Sequence, residues 1–352
     1  MKKNILVAPL NWGLGHATRC IPIIRSLIDC DYNPILASDG VALEMLRKEF
    51  PNLQTLELPS YQIEYAKNGN NFKWKMFKNS PKMISAILKE KKIVKNWVTE
   101  YNLSGIISDN RLGVRSKKIP SVFITHQLNV LTGSTTWITT KLHQNIIKKF
   151  TECWVPDFKE KPNLTGKLGH LNLDSNLNLK YIGPLSRLEK NDLDIKYDLM
   201  IILSGPEPQR TMLEEKLIIE IKKFKGKVIF IKGLIENEQK IEQIGGITFV
   251  NFMNSKELEN TFNESKIVLC RSGYTTIMDL AKLGKRAFFI PTPGQFEQEY
   301  LAKKLKQKGL FPYANQEDFR IRNLLEVELY NGIQTPENNV DWKELFEVFT
   351  QS

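Results

Sequence analysis

Arg271-Ser272-Gly273 ends a short β-branched run, Lys266 to Cys270, and opens a helical stretch from Tyr274 to Leu283. Such a turn presents the free N–H groups of a helix start, with a guanidinium and a hydroxyl beside them, and suits an anion. The design repeats at once. Arg286 to Ile290 reads as a strand, Pro291 to Gly294 as a turn, and Phe296 to Lys308 as a helix whose first turn carries Glu297 and Gln298, polar groups suited to ligand hydroxyls. Ser204 to Arg210 follows another apolar run, where Gly205 permits close backbone approach and Arg210 suits a phosphate. Near the N-terminus, Gly13-Leu14-Gly15-His16 follows the first apolar run. The glycines allow a tight turn, and His16, the residue type that most readily takes a proton near neutral pH, stands at a helix entrance. Asp109 and His126 end two later runs and are expected to point at the same space.

Strands and helices must hold these residues, and the chain alternates them. Apolar runs at 4–10, 34–38, 53–58, 105–109, 121–125 and 153–156 are separated by helical stretches, and a second series follows at 198–203, 227–231, 247–252, 266–270 and 287–291. Alternation of this kind predicts parallel strands with helices on both faces. At 352 residues the chain exceeds one ordinary core, and the pattern dissolves between Asp157 and Asp194. The expected architecture is therefore α/β, with an N-terminal Rossmann-like domain at 1–186, a linker at 187–196 and a second Rossmann-like domain at 197–352. A C-terminal helix can return to the first domain. The two doubly wound domains are expected to face a central cleft, with ligands at the carboxyl ends of their strands.

Composition narrows the function classes. Four cysteines lie far apart without a C-x-x-C pair, which speaks against a zinc ribbon or a disulfide framework and fits a reducing cytoplasm. No stretch approaches the ~20 apolar residues of a membrane span. A dinucleotide fingerprint is weak, since Thr18 stands where the third glycine belongs, although Asp39 follows the second strand as a ribose acid would. The net charge is +11, and between Ala66 and Trp97 nine lysines face Glu90 alone, interleaved with Phe72, Trp74, Met76 and Phe77. That run suits an anionic membrane surface as well as it suits a solvated helix. No nucleic-acid-binding motif accompanies it, so nucleic acid is not an expected partner.

The stretch from Cys270 to Leu280 followed by Ile290 to Ala302 resembles the donor half of GT-B glycosyltransferases, in particular the family 28 group that contains the MurG-type N-acetylglucosaminyltransferases. The resemblance implies two Rossmann-like domains and transfer from a nucleotide sugar, UDP-linked by preference, to a glycan or lipid-linked hydroxyl. It implies Ser272, Gly273 and Thr276 near a diphosphate, Asp279 at ribose hydroxyls, and Glu297 with Gln298 at the donor sugar. Gly13 to His16 resembles the family's acceptor loop, whose histidine is proposed as base in related enzymes, with Gly13, Gly15, Asp109 and His126 on the acceptor side. Two departures set the chain apart from the peptidoglycan enzymes: Asp279 replaces the usual Glu, and Ser204 to Arg210 replaces a Gly-Gly-Ser loop. No cofactor is expected. No metal is expected either, because Gly205, Arg210, Arg271 and the helix start at Gly273 are expected to carry the diphosphate charge. The expected enzyme is metal-independent and inverting, cytoplasmic, and able to sit peripherally on the inner face of the plasma membrane. Alternatives are a nucleotide-sugar 2-epimerase and a catalytically silent nucleotide-sugar-binding protein.

Overall fold

The computed structural model describes residues 2–61, 72–132, 135–171, 176–205, 207–234, 236–333 and 340–350, with the side chains of 72–81 outside the description. The basic-aromatic run therefore lies outside the described residues over 66–71, and its side chains enter only from Lys82 on. The chain forms two compact units: the first takes residues up to Tyr61, Lys73–Leu185 and the C-terminal residues, and the second runs from Ser186 to Ile333.

The first unit runs β1 (Asn4–Pro9), α1 (Gly15–Asp29), β2 (Asn33–Ser38), α2 (Gly40–Glu49), β3 (Thr55–Glu57), α3 (Phe72–Glu100), β4 (Leu103–Asp109), β5 (Ser121–Ile124), α4 (Thr136–Ile147), β6 (Glu152–Val155) and β7 (Leu179–Tyr181). Its sheet has the order β3-β2-β1-β4-β5-β6-β7, and every pairing is parallel. Ile5 to Ala8 are fully buried, as expected for a parallel strand covered on both faces. The strand order reverses between β1 and β4, and a crevice opens where neighbouring crossovers leave in opposite directions. There Leu10 N–H donates to the Asp109 carbonyl (2.9 Å), so the loops after β1 and β4 lie side by side. Helix α3 buries Ala86, Glu90 and Val94, one turn apart, and leaves Ile84 and Leu88 exposed.

The second unit runs β8 (Tyr197–Ile202), α5 (Gln209–Ile221), β9 (Val228–Ile231), β10 (Ile241–Ile244), β11 (Ile247–Val250), α6 (Ser255–Asn263), β12 (Ser265–Cys270), α7 (Tyr274–Leu283), β13 (Arg286–Phe289) and α8 (Phe296–Gln307). Its order is β10-β11-β9-β8-β12-β13, parallel except for the β10–β11 hairpin, whose turn glycines Gly245 and Gly246 have positive φ. Here the order reverses between β8 and β12, so the loops after Ile202 and Cys270 flank the switch point. Phe230, Phe288, Phe319, Leu217 and Ile290 fill the core. Helix α7 stops at Gly284, whose left-handed backbone (φ +62°) a side chain would strain.

Residues 187–196 are hydrogen-bonded along α6. Glu189 N–H donates to Glu259 (2.9 Å), Asn191 N–H to Asn263 (3.1 Å) and Arg187 to Ser255 (3.1 Å). The C-terminal α9 (Trp342–Phe346) and the 3-10 turn after it belong to the first unit, where Phe346 and Phe349 pack against Tyr32 and Trp154. Gly105 in β4 makes room for them, because a Cβ there would stand 2.3 Å from the Phe349 ring. Among the described residues no helix is long and apolar enough to cross a membrane.

Candidate active site

The loop after β1 turns at Gly13 (φ +74°) and hands the chain to α1, which places His16 in its first turn. Asp109 is the last residue of β4 and is fully buried. The two meet with His16 Nδ1 2.8 Å from Asp109 Oδ1. One turn further along α1, the buried Arg19 grips both oxygens of the same carboxylate through Nε and Nη2. Arg19 Nη2 also stands 2.9 Å from His16 Nδ1, and Nη1 stands 2.9 Å from Nδ1 of His126. Burial works against the charge on Asp109, but Arg19 and His16 outweigh it and hold the carboxyl well below the usual range. Burial pushes the imidazole of His16 down and Asp109 pulls it back up; the net shift is downward, so the ring is neutral at neutral pH.

Asp109 and His126, expected on the acceptor side, are both drawn to Arg19, and Asp109 to His16 as well. Asp109 has no exposed surface, and the imidazole of His126 is nearly buried against Arg19. Arg19 is the member of this group that sequence reasoning missed.

A second buried network fixes the same loop from behind. Arg111, fully buried, donates to the Pro9 carbonyl (3.0 Å), to Glu90 on α3 (2.7 Å) and to Asp39. Asn11 donates to Asp39 (3.2 Å), and the Tyr61 hydroxyl to Glu90 (2.8 Å). Asp39, weighed above as a ribose acid, is thus tied to Arg111. Glu90 gave one signal in the sequence: it is the single acid among nine lysines. Burial raises its carboxyl above the usual range despite Arg111 and Tyr61. Asp157 plays a similar part elsewhere, accepting from Leu164 and Thr165 N–H (2.8 Å each) and pairing with His170 (3.2 Å).

In the second unit the switch-point loops are built differently. Gly273 is the N-cap of α7, no side chain caps that end, and the space where its Cβ would stand is open. Gly205, after β8, has φ +101° and equally open space. Thr276 sits half-buried in the first turn of α7, and Glu297 half-buried in the first turn of α8. Asp279, one turn after Thr276, accepts from the Ser186 hydroxyl (2.6 Å), and burial pushes its carboxyl up to about 6.

Four other expected ligand residues are turned toward the protein. Arg271 is buried and donates to the carbonyls of Ile290, Pro291 and Gln209 and to the Gln316 amide oxygen. None of these partners carries charge, its Nε–H is buried without a partner, and burial pushes the guanidinium down to about 9. Arg210 is held by Glu207 and Glu214 (2.6 Å each) and by the Lys232 carbonyl (3.2 Å), so its charge is already shared. Ser272 donates to the Gln298 carbonyl (2.9 Å), and the Gln298 side chain accepts from Thr292 N–H (2.8 Å). These contacts brace the turns rather than offering side chains to a ligand. Among the described residues no group of three His, Cys, Asp or Glu is placed to hold a metal ion.

The comparisons agree with this architecture. Residues 209–341 match the glycosyltransferase family 28 C-terminal domain. The chain is similar to the UDP-N-acetylglucosamine–N-acetylmuramyl-(pentapeptide) pyrophosphoryl-undecaprenol N-acetylglucosamine transferase of Haemophilus ducreyi, 24% identical over 70% of this chain and 68% of the relative. The transferase of the same name from Buchnera aphidicola is 24% identical over 89% and 85%. A crystal structure of MurG from Acinetobacter baumannii matches over the whole of both chains with a TM-score of 0.57 at 15% identity. Two doubly wound sheets of the GT-B kind, the second carrying the family 28 C-terminal domain, make the chain a glycosyltransferase similar to the MurG group.

Proposed function

We propose that the chain transfers a sugar from a UDP-linked donor to a hydroxyl of an envelope glycan or lipid-linked acceptor, with His16 as general base and with inversion at the anomeric carbon. The observation that carries this reading is the 2.8 Å contact between His16 Nδ1 and Asp109. It gives the ring a fixed orientation and a carboxylate to stabilise the imidazolium that forms. In the step proposed, the acceptor oxygen attacks the anomeric carbon as its proton passes to Nε2 of His16. The bond from that carbon to the diphosphate breaks, and UDP leaves with the electron pair.

The donor reading is supported by the relatives named for UDP-N-acetylglucosamine and by the uncapped start of α7 at Gly273. Backbone N–H groups there suit a diphosphate, and Arg271 lends its unpaired charge from beneath the loop. Asp279 and Glu297 take the ribose and sugar hydroxyls, and Thr276 lies beside the phosphates. We propose that this arrangement carries the leaving-group charge without a metal. The relatives' undecaprenol-linked acceptors, together with the exposed Ile84, Leu88, Lys89 and Lys92 on α3 and Trp137 and Leu142 on α4, support a peripheral site on the cytoplasmic membrane face.

The test is calorimetric titration with nucleotides, followed by transfer from UDP-sugars to extracted envelope lipids in EDTA. Binding of UDP in preference to other nucleotides and transfer that survives chelation are expected. Absence of any UDP binding, isomerisation of the donor without acceptor, or activity restored only by Mg²⁺ or Mn²⁺ would refute the corresponding part.

A further inference from the structure

We propose that Arg19 is a positioning residue of the reaction: by holding Asp109 and the Nδ1 atom of His126 at once, it sets the two histidines in opposite tautomers and leaves the Nε2 lone pair of His16 as the proton acceptor. The inference rests on the reading of His16 as base and adds the group that makes it one.

The assignment follows from the charges and donors at each ring nitrogen. An arginine has only donors, so the 2.9 Å contact from Arg19 Nη1 requires a lone pair on His126 Nδ1, and the proton of a neutral His126 then sits on Nε2. His16 Nδ1 meets two competing neighbours, Asp109 Oδ1 at 2.8 Å and Arg19 Nη2 at 2.9 Å. Arg19 Nη2 already donates to that same oxygen, whereas an Nδ1 lone pair would face an ionised carboxylate at contact distance. A proton on Nδ1 turns that repulsion into a charge-assisted hydrogen bond, so His16 carries its hydrogen there.

The charged and titratable groups around His16 are Asp109 from the end of β4, Arg19 from its own helix and His126 from the loop after β5. Cys20, also on α1, lies 3.7 Å from the far oxygen of Asp109. Asp109 raises the tendency of His16 to protonate, and Arg19 and His126 lower it. Arg19 therefore has two effects: it keeps Asp109 ionised, so that the carboxylate orients the ring without taking its proton, and it keeps the ring neutral until the acceptor gives up a proton.

The full chain carries four histidines, so selective ¹⁵N-histidine labelling and long-range ¹H–¹⁵N correlation near neutral pH resolve each ring, with assignments from His16→Gln and His126→Gln. The wild-type protein is expected to show His16 protonated on Nδ1 and His126 on Nε2. Finding the His16 proton on Nε2, or the His126 proton on Nδ1, overturns the proposal whether or not any variant folds. In folded Arg19→Gln the pH at which His16 protonates should rise, with UDP binding retained, because the guanidinium that disfavours the imidazolium is gone. An unchanged titration in that variant also overturns it. A failure of His16 as base would appear separately, as normal transfer by His16→Ala with the tautomers as stated here.

Discussion

At the switch point of the first sheet ionisable side chains are bound to one another: Arg19 and His16 on Asp109, and Arg111 on Asp39 and Glu90. At the switch point of the second sheet the loops offer backbone. Gly205 and Gly273 leave open space, α7 begins uncapped, and the guanidinium of Arg271 is met by carbonyl and amide oxygens rather than carboxylates. The difference suits the two tasks that the proposed reaction assigns to these crevices. Proton transfer needs a nitrogen of fixed orientation and protonation state, which interlocked side chains supply. Holding a diphosphate needs many weak donors at close range, which a helix start supplies without side chains.

The largest expected effect comes from breaking the first arrangement at its tip. His16→Ala should slow transfer by about 10²–10⁴-fold while UDP affinity stays the same, because a base acts only as the bond forms. Its cost in stability should be about 1 kcal/mol, since Leu14, not His16, caps the helix. Steady-state transfer beside UDP titration of the same preparation checks both. Wild-type turnover in the variant would leave the first crevice without a base.

The second arrangement is broken by filling space rather than by removing charge. Gly273 has φ −70° and nothing within 4 Å of a built Cβ, so Gly273→Val should fold normally. The isopropyl group would occupy the approach to the α7 N–H groups and lower UDP affinity by roughly tenfold or more. An unchanged melting temperature with unchanged UDP affinity would place the phosphates elsewhere.

The comparison with the sequence falls along the same division. The strands, the switch-point loops and the residues at their ends were legible, because parallel strands read as apolar runs and turns as glycine, proline and polar clusters. His16 and Asp109 were found this way, 93 residues apart. What could not be read is direction. Arg271 and Arg210 have the residue type a phosphate needs, yet one turns inward to carbonyls and the other is neutralised by Glu207 and Glu214. Arg19 looks like an ordinary helix arginine until β4 brings Asp109 against it. The β10 strand was missed for another reason: its four residues, Ile-Glu-Gln-Ile, lack the alternation of a strand, and all are exposed, so no buried face marks it.

Asp279 sharpens the contrast through pH. Its carboxyl is raised to about 6 by burial, so in the fold it holds a proton at pH values where an unfolded Asp has already lost it. That raises stability at low pH, and the contribution is lost as pH rises from about 4 through 6, by up to about 3 kcal/mol. Asp279→Asn should remove this slope from pH-dependent melting. UDP affinity should move the other way in the wild type, weakening several-fold as pH falls below about 6, because ribose hydroxyls donate better to a carboxylate than to a carboxylic acid. Affinity independent of pH from 5 to 8 would detach Asp279 from the ribose.

The smallest expected effect concerns Arg210, whose residue type suggests the largest. Its guanidinium donates to Glu207, Glu214, the Thr211 hydroxyl and the Lys232 carbonyl, and the two carboxylates more than offset its charge. A phosphate would have to displace Glu207, the more exposed of the two, before gaining a contact. Arg210→Gln should therefore change UDP affinity by less than about twofold, since Glu207 and Glu214 already take up the charge that a phosphate would need. Glu207→Gln should strengthen binding slightly by releasing part of that charge. A tenfold loss in Arg210→Gln, with the melting temperature held, would return Arg210 to the phosphates and make the second crevice, like the first, a site built from side chains.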